Sequence, residues 1–415
     1  MVYPFYVLGK KFLNIMSKRY PSGFISAFYD PLKNPGAPTI GTATSGDATA
    51  SVPFTAPPNV GGSAITSYVL QSTPGKIISS NTTSPISVTG LTNDTAYTFQ
   101  VWALNAYGPS AFSAASNSVT PAQLFRGVFA GGSSNIIDYI SIPSTGNATD
   151  FGDLLSSQIY QSGFGSTTRG VFAGGSNTNV IQYITIASTG NATDFGDITV
   201  NRQSSAGASS STRGLVAGGV MTDSPYFRYN IIDYVTIASV GNAIDFGDMT
   251  NTSEGPMACS SPTRGVFAGG YNGANRLTTI DYVTIASAGN ATNFGSLTSP
   301  TATGAGCSSS TRGIFGGGYD GNAANGTNVI EYVTIASTGN ATDFGDLSDI
   351  LNFLTACSSQ IRAVFGGGFS YNTFTSFNVL QYITISSTGN TTDFGDLTRA
   401  TNALTSCSNC SGGVQ

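Results

Sequence analysis

Five of six copies of a short segment carry two aspartates three positions apart: Asp150/Asp153, Asp194/Asp197, Asp245/Asp248, Asp343/Asp346 and Asp393/Asp396, with Asn293 and Ser296 in the remaining copy. Paired carboxylates could hold a hard cation or share acid–base work in hydrolysis. Calcium takes about six to eight oxygens, several of them acidic and close in sequence, so two carboxylates per copy fall short. Catalysis needs an asymmetric set, whereas near-identical copies argue for architecture. The expectation is therefore structural: the one arginine that recurs per copy (Arg126, Arg169, Arg213, Arg264, Arg312, Arg362) pairs with these aspartates in partly buried ion pairs.

The chain has no histidine. That removes imidazole acid–base chemistry, the serine and cysteine triads, and the common zinc and copper ligand sets. Cys259, Cys307, Cys357 and Cys407 recur one per copy, which reads as small buried residues, and the lone Cys407/Cys410 pair lacks the second pair a zinc site needs. No catalytic residue, metal or cofactor is expected, and the chain is read as non-enzymatic.

Something must position these residues, and it is a repeat. The six arginines open segments separated by 43, 44, 51, 48 and 50 residues, a period that signals a solenoid, a propeller or an array. Each copy holds four candidate strands: a small-residue run (a), Arg-Gly-Val-Phe ending in Gly-Gly (b), Ile-Asp-Tyr-Val-Thr-Ile (c) and Asn-Ala-Thr-Asp-Phe-Gly-Asp (d). Charged residues are only 9% of the chain, against about a quarter usually, so Ser, Thr, Asn and Gly must face solvent and the fold class is all-β. Strand c is apolar on both faces, as in a sheet covered on both sides. The Gly-Gly pair is expected where an aromatic neighbour crowds the backbone.

The order of Arg, aliphatic run, Gly-Gly, Tyr and then an aromatic resembles the kelch repeat, with Phe151, Phe195, Phe246, Phe294, Phe344 and Phe394 where kelch places Trp. The resemblance implies a six-bladed β-propeller over residues 122–415. Copy one lacks a strand a before Arg126, and residues 400–409 supply one at the other end, so the C-terminal strand is expected to close blade one. The Asn-x-Thr sequences at Asn147, Asn191, Asn290, Asn340 and Asn390 read as tight c–d turns.

Asymmetry lies in the b–c connections. From the second Gly to the Tyr they span 7, 8, 15, 12, 14 and 14 residues, so copies three to six carry insertions on one face. These hold Tyr226, Phe227, Arg228 and Tyr229; Tyr271, Asn275 and Arg276; Tyr319, Asp320 and Asn322; and Phe369, Tyr371 and Phe374. Aromatics mixed with Arg and Asn are what recognition surfaces use. The d–a turns open on the same face and add Asn201, Arg202 and Glu254.

Ahead of the repeats, residues 36–121 resemble a fibronectin type III domain. Ala50 to Phe54, the turn Ala56-Pro-Pro-Asn-Val-Gly-Gly, and Ile65 to Tyr68 resemble strands B and C, with Phe54 in place of the strand-B Trp. Leu91 to Phe99 resembles the E–F corner, and Val101 to Ser110 the F–G hairpin. The resemblance implies a sandwich with Tyr97 as its tyrosine corner and a spacer role. Residues 1–35 form an aromatic, basic arm in which Phe24, Ile25, Phe28 and Tyr29 are expected to anchor, because they are costly to leave in water. Neither a membrane span nor a secretory signal is expected there.

From Arg126 onward 10 Arg stand against 18 Asp and Glu, so no basic stripe for nucleic acid and no polybasic membrane patch exists. Low charge, Ser/Thr/Asn/Gly richness, near-identical repeats and an N-terminal arm resemble structural proteins of tailed bacteriophages. That likeness implies a virion tail appendage or decoration protein. Its arm would bind other virion proteins and its propeller loops a host-surface glycan or protein, in an arrangement compatible with a homo-oligomer. The alternative expectations are a secreted or surface-attached bacterial adhesin and, third, a propeller hydrolase.

Overall fold

The computed structural model describes residues 33–321 and 326–410. Phe24, Ile25, Phe28 and Tyr29 of the anchoring arm lie outside the described residues, as does Asn322 of the fifth-copy loop. Every regular element among the described residues is a β-strand. The chain divides into two compact units, one ending at Gln123 and the other beginning at Leu124.

In the first unit, Thr44–Gly46, Thr49–Val52 and Ile86–Thr89 form one sheet. Ile78–Asn81, Ser67–Thr73, Thr98–Asn105 and Gly108–Pro109 form a second. Burial alternates along Thr98–Asn105, as the two-residue side-chain period of a strand requires, and brings Phe99, Val101 and Ala103 against Val52, Leu70, Ile86 and Val88. Tyr97 is buried, and its hydroxyl accepts the Thr92 amide at 3.1 Å. Beyond the hairpin, Ser110, Ser113 and Ser116 recur every third residue. Their Oγ atoms accept the amides of Ala103, Val101 and Phe99 at 2.9–3.0 Å, so hydroxyls substitute for carbonyls along that edge.

Among the described residues the second unit has six larger sheets, each built on the order a-b-c-d, and a separate two-stranded hairpin, Val220–Met221 with Phe227–Arg228. In the second sheet these strands are Ser162–Gly165, Arg169–Ala173, Val180–Thr185 and Thr193–Asp197. One register serves throughout: the a residue Phe164, Ala208, Cys259, Cys307 or Cys357 stands opposite Val171, Leu215, Val266, Ile314 or Val364, which in turn faces the strand-c tyrosine. The first sheet takes its strand a from the far end of the chain. Leu404–Ser408 pairs with Arg126–Gly131, and Cys407 lies opposite Val128. All five cysteines are free and buried, and burial pushes Cys307, Cys407 and Cys410 up to about 12, which leaves them as neutral apolar side chains.

Each sheet buries both faces, one against the preceding sheet and one against the next. In the fifth, Ile330 packs with Phe365 of the sixth, while Val333 and Ile335 pack with Val266 and Phe294 of the fourth. The same holds between the sixth and first, where Cys357, Val364 and Phe394 enclose Phe129, Ile140 and Ile142. This explains the two-faced apolar pattern of strand c. Four of the five Arg-Gly glycines follow from the same contact, since a Cβ on Gly127 would overlap the Cys357 Sγ of the neighbouring sheet and one on Gly170, Gly214 or Gly313 would overlap Cys407, Phe164 or Cys259; Gly265 has more room, and the sixth copy carries Ala363 there. The Gly-Gly pair has a different cause from the aromatic crowding expected. In Gly174 and Gly175, φ is +65° and +90°, a left-handed pair that strongly favours glycine.

Candidate functional site

The repeated arginines do not meet the repeated aspartates. Among the described residues, no ion pair joins them, which corrects the expectation of Arg–Asp pairs. Each guanidinium instead lies over the strand-c tyrosine of its own sheet, 4.3–4.7 Å from the ring centroid. Its Nη1 donates to an isoleucine carbonyl of the next sheet at 2.7–2.9 Å, from Arg126 to Ile186 through to Arg362 and Ile142. The tyrosine rings contact the strand-d phenylalanines edge-on at 5.8–6.0 Å. Of each aspartate pair, the first is exposed, and the second position uses its backbone: the amides of Asp153, Asp197, Asp248, Ser296, Asp346 and Asp396 donate to the Asn Oδ1 of the next sheet's c–d turn at 3.0–3.1 Å. The asparagines of the Asn-x-Thr sequences are thus spent on joining sheets.

A second set of polar residues, four acids and two glutamines, escaped the sequence reading. The residue before each strand-c tyrosine is buried: Asp138, Gln182, Asp233, Asp281, Glu331 and Gln381. Each accepts a backbone amide from the end of the preceding sheet's strand d, such as Thr250 to Asp281 at 2.9 Å and Leu155 to Gln182 at 2.8 Å. Desolvation raises the carboxyls of Asp138, Asp281 and Glu331 above their ordinary range, against hydrogen bonds that lower them. Arg202 joins this set and not the surface where it was expected. It is fully buried and donates to Asp233 at 2.9 Å and to the Val216 carbonyl at 3.0 Å, with burial lowering its pKa against the pull of Asp233. The signal was present in Ile-Asp-Tyr, but an acid between two apolar residues there reads equally well as solvent-facing.

The b–c insertions converge. Arg228 lies between Tyr226 and Tyr271, 4.7 Å from each ring centroid, and its Nε donates to Glu254 at 2.9 Å. The Tyr226 hydroxyl donates to the same Glu254 oxygen at 3.0 Å. Arg276 continues the stack, 5.6 Å from the Tyr271 ring and 3.8 Å from Tyr319. Tyr319 contacts Tyr371 at 5.9 Å, and Tyr371 contacts Phe369 edge-on at 5.0 Å. Seven of the expected residues therefore form one ladder of alternating rings and cations across four insertions. The sequence placed Glu254 beside them without a role. Its backbone pairs with Tyr271 in both directions, at 2.8 and 2.9 Å, which fixes the d–a turn beside the insertion.

The other expected residues stand outside this ladder. Phe227 is exposed on the Val220–Met221/Phe227–Arg228 hairpin, and Tyr229 is half-buried behind it. Asn275 is exposed in a turn where its amide donates to Asn272 at 2.8 Å. Asp320 is half-buried beside Tyr319, and Phe374 projects with 76% of its surface free.

At the d–a turns, one residue per sheet has left-handed backbone: Tyr160, Ser204, Gly255, Thr303, Phe353 and Ala403, with φ between +55° and +65°. Their peptide groups form a closed circuit. Ser204 donates to Tyr160, Gly255 to Ser204, Thr303 to Gly255, Phe353 to Thr303, Ala403 to Phe353 and Tyr160 to Ala403, all at 2.8–2.9 Å. Beneath the circuit lies a cavity of about 150 Å³ lined by strand a of all six sheets.

Comparison with known proteins bears on the first unit. Residues 35–119 match the fibronectin type III domain. Tyr97 holds that domain's E–F corner through the Thr92 amide, and Phe54 packs on Tyr68 with ring centroids 4.4 Å apart. No curated protein matches the chain.

Proposed function

We propose that the six sheets are the blades of a kelch-like β-propeller and that the protein is a non-enzymatic recognition protein, carried on a virion as a tail appendage or decoration protein. The fibronectin type III domain spaces the propeller from residues 1–35, which bind other virion proteins. The insertions at Tyr226–Tyr229, Tyr271–Arg276, Tyr319–Asp320 and Phe369–Phe374 contact a glycan or protein on the host surface.

One observation carries this reading. The parts of the repeats that differ most from copy to copy assemble into one continuous surface, the ladder from Tyr226 to Phe369. Stacked, ion-paired side chains hold an aromatic surface ready before a partner arrives, so little rotamer freedom remains to be lost on binding. The circuit of d–a peptides and the shared cavity support the propeller.

The test has two arms. Purified particles probed with antibody to the chain locate it: presence supports a virion component, and absence with label on bacterial cells supports an adhesin instead. Binding of the full chain to host cells is then compared with Arg228→Ala and Tyr271→Ala. Unchanged binding by the folded variants would remove the loop surface from the proposal.

A further inference from the structure

The d–a end of the second unit carries a feature that neither the insertions nor the packing of the sheets uses. Of the six residues in the peptide circuit, four are small or glycine, and two are large aromatics: Tyr160 and Phe353. Non-glycine residues with positive φ are uncommon, and a bulky ring there is strained. Ala403 and Ser204 occupy the same conformation, so the circuit does not need rings. Both rings are half-buried, and they meet edge-to-face with centroids 5.5 Å apart at the mouth of a recess of about 80 Å³.

The recess lining is neutral, with no Asp, Glu, Lys or Arg, and the same is true of the cavity beneath it. Its polar groups are those of Ser204, Ser205, Thr303 and Gln161. The circuit consumes its own six amides and carbonyls, Thr303 Oγ1 donates to the Ala302 carbonyl and Ser205 Oγ bonds Ser162 Oγ, both at 2.6 Å, so the Ser204 hydroxyl and the Tyr160 phenol are what remains to donate to a ligand. Gln161 lines both spaces, but its side chain runs outward to the end of strand b, where its Nε2 donates to the Gly174 carbonyl at 3.2 Å. Phosphate, carboxylate and metal ions find no counter-charge here. A pyranose would suit these groups, its apolar C–H face against the exposed parts of the aromatic rings and its hydroxyls on Ser204 and the Tyr160 phenol. The Tyr160 phenol is also raised by burial and by the nearby Tyr371 and Glu254, so it stays a neutral donor.

We infer that the mouth of this axial recess, framed by Tyr160 and Phe353 with Ser204 beside them, binds a neutral sugar residue. This deepens the recognition reading and rests on it: the ladder would contact the rest of a host glycan whose terminal residue enters the recess.

The experiment uses the full chain and saturation-transfer NMR with the methyl glycosides of glucose, galactose, mannose and N-acetylglucosamine, beside host-cell adherence. Tyr160→Ala and Phe353→Ala keep a side chain the circuit already accepts at Ala403, and a far-UV and thermal comparison confirms that they fold. The expected result is transfer from at least one glycoside, weakened at least tenfold in each variant and retained in Asp150→Ala, a change at an exposed residue of the outer strand. Transfer unchanged in the folded Tyr160→Ala/Phe353→Ala chain overturns the site. Adherence without transfer from any of the four sugars overturns the sugar site and leaves the recognition reading standing. Absence of both overturns the two together.

Discussion

Arg362 donates from Nη1 to the carbonyl of Ile142 at 2.9 Å, although 220 residues separate them in the chain. The same bond joins every other pair of consecutive sheets, so the contact between the sixth and first sheets is equivalent to those formed between sequence neighbours. What fastens that contact is Leu404–Ser408, paired to Arg126–Gly131, with Ser408 Oγ donating to the Ser358 carbonyl at 2.7 Å.

Truncation before Leu404 is therefore expected to expose an edge on Arg126–Gly131 and to open the core around Phe129 and Cys357. Calorimetry should show the single transition of the second unit replaced by a broad, lower-temperature one. An unaltered transition would mean that the strand adds nothing to closure.

The glycines beside the inner strands give a sharper test. Gly127→Ala drives a Cβ into Cys357 Sγ, whereas a Cβ on Gly265 would come no closer than 3.2 Å to any atom, the Cδ1 of Leu215. Overpacking of this kind costs about 1–3 kcal/mol. Adding Cys357→Ala should recover most of that loss, so a urea-denaturation cycle is expected to show strong coupling. Additive effects would mean that the backbone, not the sulfur, sets the limit.

The buried strand-c acids predict a pH dependence. Asp138, Asp281 and Glu331 have folded pKa values above their unfolded ones. The folded state then binds more protons in the window between the two, so their contribution is full below the unfolded range of about 4 and is lost as pH rises through the folded value. Gln182 and Gln381 hold the equivalent positions in two sheets, accepting amides at 2.8 and 2.9 Å. Asp281→Asn should therefore fold, and its stability relative to the parent should rise between pH 4 and pH 7. A difference that is flat across this range would sink the assignment.

Arg202 and Asp233 form a pair with neither side chain exposed. Removing one partner of such a pair typically costs about 3–5 kcal/mol, because the other charge is left buried and alone. Arg202→Ala is expected at that level, and Arg202→Met with Asp233→Asn well below it. Equal losses in the two variants, read from chemical denaturation, would indicate that packing around Arg202 matters more than its charge.

The ladder should behave differently from the core. Arg228 is partly exposed between its two tyrosines, and a cation–π contact at such a site is worth about 0.5–1 kcal/mol. Arg228→Lys keeps the charge but loses the flat stacking surface and the Nε bond to Glu254. A small fall in melting temperature with a larger loss of cell binding is the expected pattern. The reverse pattern would make the ladder a structural brace.

The four repeated strands of each copy were legible in this chain, while the short strands within the insertions, such as Val220–Met221 and Phe227–Arg228, were not. Six spaced copies of Arg, Tyr and Phe-Gly, with charge nearly absent, fix the all-β class and the shared register, because burial on both faces of strand c follows from side-chain alternation alone. The tyrosine corner at Tyr97 and the grouping of the insertions were equally readable, since both depend on spacing along the chain. What only the tertiary structure decided is where each polar group finds its partner. The arginines could have met the aspartates, but the carbonyl of Ile186 and the ring of Tyr139 lie nearer to Arg126, and both belong to surfaces that exist only once sheets are stacked. Likewise Tyr160 and Phe353 are 193 positions apart and have no pattern in common, and only the circuit of d–a peptides brings their rings together.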